Sequence, residues 1–177
     1  QNKSYLTKYA DHYGDTLLHI AAIFGNIDIF NSVLSYNLDA LKVENNEKEL
    51  PLHIILYRGD TLDANDILGL VNKFINLYPE STCKPDINNM YPFFIGLQNN
   101  LDASIISVLN CSVKTVNPDD GCGDNIIHIC INLGVDIDVL SVIASSHSDY
   151  LVVRNKEGYT PLGLAISKNK PLSVIKL

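Results

Sequence analysis

The sequence predicts an all-α protein, an α-solenoid in which short helix-turn-helix units pile one on the next. Three observations carry that expectation. A tetrapeptide pattern recurs five times in one phase, each copy opens an apolar helical run, and each run closes on a residue type that tolerates a left-handed helix end.

The copies are Thr16-Leu17-Leu18-His19, Leu50-Pro51-Leu52-His53, Tyr91-Pro92-Phe93-Phe94, Asn125-Ile126-Ile127-His128 and Thr160-Pro161-Leu162-Gly163. They begin at residues 16, 50, 91, 125 and 160, at intervals of 34, 41, 34 and 35. Thr16 and Thr160 stand at a helix start, where a hydroxyl accepts from orphan backbone donors. Pro51, Pro92 and Pro161 take the next position, where a missing N–H costs nothing. The closing residues are Gly25, Gly59, Asn100, Gly134 and Asn169.

A second helix follows each closing residue. After Gly25, the apolar residues Ile29, Phe30, Val33 and Leu34 have the spacing of one buried stripe. The stripe returns as Leu70, Val71, Phe74 and Ile75 if residues 60–66 are an insertion, which accounts for the interval of 41. Looser copies are Ile105, Val108 and Leu109, then Val139, Leu140, Val142 and Ile143, with registers open to a shift of one. Polar connectors such as Leu41-Lys42-Val43-Glu44-Asn45 and Leu151-Val152-Val153-Arg154-Asn155 read as extended turns. Tight turns precede three copies, at residues 11–14, 120–123 and 155–158, each ending on glycine. Lys48 and Asn89 replace that glycine in the second and third units. The units fall at about 11–44, 45–85, 86–119, 120–154 and 155–177, the last one truncated, with residues 1–10 as the tail of a preceding unit. All belong to one domain.

The stretch Asp11-x-x-Gly14-x-Thr16-Leu17-Leu18-His19-x-Ala21-Ala22-x-x-Gly25 resembles the ankyrin repeat signature, its proline apart. Gly158-x-Thr160-Pro161-Leu162-Gly163-x-Ala165 is similar to it again. The resemblance extends over essentially the whole chain, with the third unit the most degenerate. It implies a non-catalytic interaction module, a scaffold or adaptor, that binds a protein partner through turn tips and the exposed end of each first helix. The alternative is a regulatory or targeting module of a larger enzyme, channel or effector whose activity lies outside these residues.

By that resemblance the contact positions in the first unit are His12, Tyr13, Asp15, Ile23 and Phe24, and in the second Asn46, Glu47, Glu49, Tyr57 and Arg58. Met90, Gln98 and Asn99 follow in the third, Asp124 and Asn132 in the fourth, and Tyr159 in the fifth. Aromatic residues and arginine dominate interface energetics, so Tyr13, Phe24, Tyr57 and Arg58 lead the set. Ile23 and Phe24 have a second reading, packing against a preceding unit.

The remaining features narrow the function classes. A net charge of −7 with no basic cluster argues against nucleic acid. The longest apolar stretches fall far short of a membrane span. Cys83, Cys111, Cys122 and Cys130 lack paired spacing and read as reduced thiols, which suits an intracellular, cytoplasmic setting. The polar N-terminus lacks a signal-peptide pattern. His19, His53 and His128 recur at one phase but sit a repeat apart, too far to share a zinc ion, so they read as buried hydrogen-bonding groups. Residues 119–124 lack the ligand alternation of a calcium loop. Cys130 falls on a buried face, which counts against a zinc set with Cys111, Cys122 and His128. No nucleophile, phosphate loop or acid–base pair is apparent. The sequence therefore predicts neither enzyme nor cofactor, and favours a monomer.

Overall fold

Thr16, extended at φ −76°, hands the chain to a seven-residue helix, α1 (Leu17–Ile23). Similar starts recur through a computed structural model that describes residues 9–59, 61–110 and 123–176. The chain divides into two units, Gln1–Val113 and Lys114–Leu177. Unit 1 holds α1, α2 (Ile27–Tyr36), α3 (Pro51–Tyr57), α4 (Ala64–Leu77), α5 (Pro92–Gln98) and α6 (Ala103–Asn110). Unit 2 holds α7 (Ile126–Leu133), α8 (Ile137–Ser146), α9 (Pro161–Ser167) and α10 (Leu172–Ile175). Among the described residues there is no strand, only an isolated bridge between Ala10 and Thr16. The molecule is all-helical there, as the periodicity predicts.

The helix starts follow the sequence with one correction. Thr160 accepts the Gly163 N–H at 3.2 Å, and Pro51, Pro92 and Pro161 each open a helix. The Thr16 hydroxyl instead meets His19 Nδ1 at 2.7 Å. Asn26 and Asp63 cap α2 and α4 by accepting from Ile29 and Asn65.

In unit 1, α1 lies on α2 and α3, α3 on α4 and α5, and both α4 and α5 on α6. Phe30 of α2 and Phe74 of α4, both fully buried, tilt against each other with ring centroids 6.1 Å apart. In unit 2, α7 lies on α8 and α9, and α10 touches both α8 and α9. α2 and α4 each bury one face, whereas α3 and α5 are buried along nearly their whole length, so apolar surface left by one element is covered by the next.

The second-helix stripes hold in most positions. Phe30, Val33 and Leu34 are buried, while Ile29 is 47% exposed. Residues 64–66 of the expected insertion extend α4, whose buried face gains Ile67 beside Leu70, Val71 and Phe74. Ile106 replaces Val108 on the α6 face, a shift of register, and Ala144 replaces Val142 on α8. The connectors need a larger correction. Leu41 and Lys42 belong to a one-turn 3-10 helix, Leu38–Lys42, and Leu151 and Val152 to another, Ser148–Val152. A third is Pro79–Cys83. One turn of tight helix brings Leu41 into the core, which extended backbone would not.

Of the five closing residues, Gly25, Asn100, Gly134 and Asn169 adopt positive φ, and Gly59 does not. Gly59 is there for space: a Cβ would stand 2.1 Å from Leu101 Cδ2. The turn position behaves uniformly, with Gly14, Lys48, Asn89, Gly123 and Gly158 all left-handed. Lys48, at φ 57°, carries a Cβ where backbone sterics disfavour one. Replacing Lys48 with glycine is expected to raise the unfolding free energy by about 0.5–1 kcal/mol, the relief of strain exceeding glycine's entropy. Lys48→Ala should change it little, and urea denaturation of both variants measures the difference.

Candidate functional site

The four turns ahead of first helices that lie within the described residues are built alike. In each, the first residue's carbonyl accepts from the residue three on, as in Gly14 N to Asp11 O at 3.0 Å and Lys48 N to Asn45 O at 3.0 Å. Asn89 N to Asp86 O at 3.1 Å and Gly158 N to Asn155 O at 3.0 Å complete the series. The first residue's side chain then holds the loop from inside. Asn45 Oδ1 accepts from the amides of Glu47 and Glu49, and Asp86 Oδ1 from those of Asn88 and Met90. Asp11 does the same for Tyr13 and Asp15.

Successive turns in unit 1 are joined through backbone. Asn46 N–H donates to the Tyr13 carbonyl at 3.0 Å, and Ile87 N–H to the Glu47 carbonyl at 2.8 Å. The Asn46 side chain adds a bond to the His12 carbonyl at 3.0 Å. A Cβ on Gly14 would lie 2.8 Å from Asn46 N, so a larger residue there would part the turns. The first two tips therefore bring together four of the expected contact residues, His12, Tyr13, Asn46 and Glu47. The His12 and Tyr13 rings lie 3.8 Å apart, and Tyr13 is 62% exposed.

The other expected residues divide by what they touch. Phe24 is 78% exposed at the end of α1, while Ile23 is half-buried. Tyr57, at the end of α3, donates its hydroxyl to Asp86 Oδ2 at 2.7 Å. Burial and that carboxylate together push its phenol pKa well up. Arg58 is half-buried, its Nε enclosed without a hydrogen-bond partner among the described residues. Glu49 is half-buried and accepts from Asn45 Nδ2 at 2.9 Å. Burial raises its carboxyl pKa, Asn45 opposes the rise, and the Asp86, Asp15 and Glu47 carboxylates add to it. Gln98 and Asn99 are exposed on the end of α5, Asn99 Nδ2 reaching the Leu56 carbonyl at 3.2 Å, and Met90 is half-buried. In unit 2, Asn132 is exposed, and Tyr159, 40% exposed, gives its carbonyl to His128.

Asp15 and Asp124 are corrections. Both are buried, at 8% and 4% exposure, with their carboxylates turned to the next turn inward. Asp15 accepts from Asn45 Nδ2 at 2.8 Å, and Asp124 from Asn155 Nδ2 at 2.7 Å and Asn132 Nδ2 at 2.8 Å. These side chains hold one turn to another from within. Asn45 and Asn155, missed as site-forming residues, are the matching halves. Their phase ahead of the tetrapeptides was the available signal.

The three histidines sit at the same joints, fully buried. Nδ1 accepts the N–H of the residue opening its own helix: Thr16 at 3.2 Å, Leu50 at 2.9 Å and Asn125 at 3.3 Å. Nε2 meets the Glu49, Lys84 and Tyr159 carbonyls at 3.0, 2.9 and 2.9 Å. A carbonyl only accepts, so Nε2 carries the proton, and both nitrogens are committed. Cys130 is buried on α7, its thiol pushed up to about 12 by burial. A thiol so far from ionisation is a poor nucleophile. Cys111, Cys122 and the turn at 120–122 lie outside the described residues.

Compared with known proteins, the chain matches no family model and no curated sequence. No helix among the described residues is long and apolar enough to cross a membrane.

The Asn–Asp joints yield a direct expectation. Asn155→Ala strips a partner from the buried Asp124 Oδ1 and another from the half-buried Tyr159 amide, and should cost about 1–3 kcal/mol. Denaturant titration of the variant measures that loss.

Proposed function

We propose that the chain is an ankyrin-type array of helix pairs serving as a non-catalytic protein-binding module, and that unit 1 presents the main contact edge. One observation carries the reading. Backbone hydrogen bonds hold consecutive turn tips side by side, while the tip residues Tyr13 and Glu47 keep their side chains exposed. A rigid row of tips with aromatic and charged side chains suits recognition of a protein surface at low ordering cost. The supporting pattern is the recurrence of one turn geometry, one histidine bridge and one Asn–Asp joint at the phase of the ankyrin-like signature.

Within this reading His12, Tyr13, Phe24, Asn46, Glu47 and Tyr57 are the leading contact residues. Partner binding is the module's whole activity, and the joints beneath it keep the edge in shape.

Pull-down with the purified chain, followed by identification of the retained proteins, tests the proposal. Tyr13→Ala and Phe24→Ala are each expected to weaken the captured complex by about 1–3 kcal/mol with the melting temperature unchanged. Retention of no protein, or equal loss of melting temperature and binding in both variants, would overturn it.

A further inference from the structure

We propose that His53 is an acid-sensitive joint of unit 1, because protonating its ring sets two N–H donors face to face at the start of α3. The inference does not depend on what the chain binds.

The geometry differs between otherwise equivalent histidines. His19 Nδ1 has two neighbours, the Thr16 amide at 3.2 Å and the Thr16 hydroxyl at 2.7 Å. A hydroxyl rotates, so it donates to the neutral ring and accepts from the protonated one. His53 Nδ1 has the Leu50 amide at 2.9 Å, and leucine stands where α1 has threonine. An amide cannot become an acceptor. A proton on Nδ1 of His53 therefore breaks the bond that caps α3 and leaves two buried donors opposed, while His19 keeps a partner.

The surroundings of His53 do not cancel this cost. Burial lowers its pKa from 6.5, and the Lys84 carbonyl, the Asp86 carboxylate, the Leu50 backbone and the Glu44 carboxylate, in that order, oppose the lowering without reversing it. Glu44 is itself paired with the Lys84 ammonium at 3.0 Å, and Asp86 holds the Tyr57 hydroxyl and two backbone amides. Around His19 burial again lowers the pKa, opposed by the Glu49 carbonyl and by Asp15 and Asp11. Well above pH 6.5 both rings are neutral, folded or unfolded, and contribute no pH dependence. Below it the unfolded chain takes up protons that the folded chain refuses, so stability falls as the pH drops toward the folded-state pKa. Each ring that stays neutral lowers the folding equilibrium constant up to tenfold per pH unit. Glu49 acts oppositely: its raised carboxyl pKa adds stability as pH falls through the range above 4.5.

The test follows the histidine rings of the intact chain by NMR from pH 7.5 to 5.0, alongside urea unfolding over the same range in a Glu49→Gln background. His19 is expected to titrate at higher pH than His53. His53→Gln should flatten the fall in stability by close to tenfold per pH unit, and His19→Gln by less. Leu50→Thr, which supplies the missing hydroxyl, should move the His53 titration upward whatever it does to overall stability. Titration of His53 at or above the pH of His19, or a slope unaltered by His53→Gln, would overturn the proposal.

Discussion

A turn laid against another turn must satisfy its inward backbone amides, and one side chain at the base of each described turn meets that demand. Asn45 collects the amides of Glu47 and Glu49 and passes its own N–H groups to Asp15 and Glu49. Unmet, each such donor would cost on the order of 1–3 kcal/mol. Asn155 repeats the arrangement with Tyr159 and Asp124. Asp86 has no amide to give, and its second oxygen takes the Tyr57 hydroxyl instead. A single atom's difference thus redirects a tyrosine at the end of α3 toward the third turn.

The histidines extend the same logic one step inward. Each links the start of its own helix to a carbonyl about a repeat ahead, so the first helix and the following turn share one buried group. His53 reaches Lys84, ahead of the third turn, whereas His19 and His128 reach Glu49 and Tyr159, two residues before the next helix. Asp86 directly follows the Lys84-Pro85 step, where proline restricts the backbone before it. The third turn is thus gripped at a different point from the others.

Much of this was legible in the sequence because periodicity reports burial. The phase of the tetrapeptides located α1, α3, α5, α7 and α9, and the stripes located the longer helices to within a turn. The 3-10 turns were not legible. Residues 41–45 and 151–155 read as extended connectors, and only packing decides that Leu41 turns inward on a 3-10 turn. Of the expected residues, Tyr13, Phe24 and Glu47 are exposed, whereas Asp15 and Asp124, each just ahead of its tetrapeptide, point inward. Phase locates a position along the chain and leaves the direction of a short side chain to its hydrogen-bond partners.

Lys48 combines an accessible basic side chain with a loop locked at both ends, since Asn45 receives its amide and the Asn45 and Glu49 backbones pair. Trypsin cuts after lysine only when several flanking residues lie extended in its cleft, and a closed left-handed turn cannot lie that way. Cleavage there would therefore count excursions in which the loop comes undone, making an ordinary digestive enzyme a clock for the local breathing of this edge.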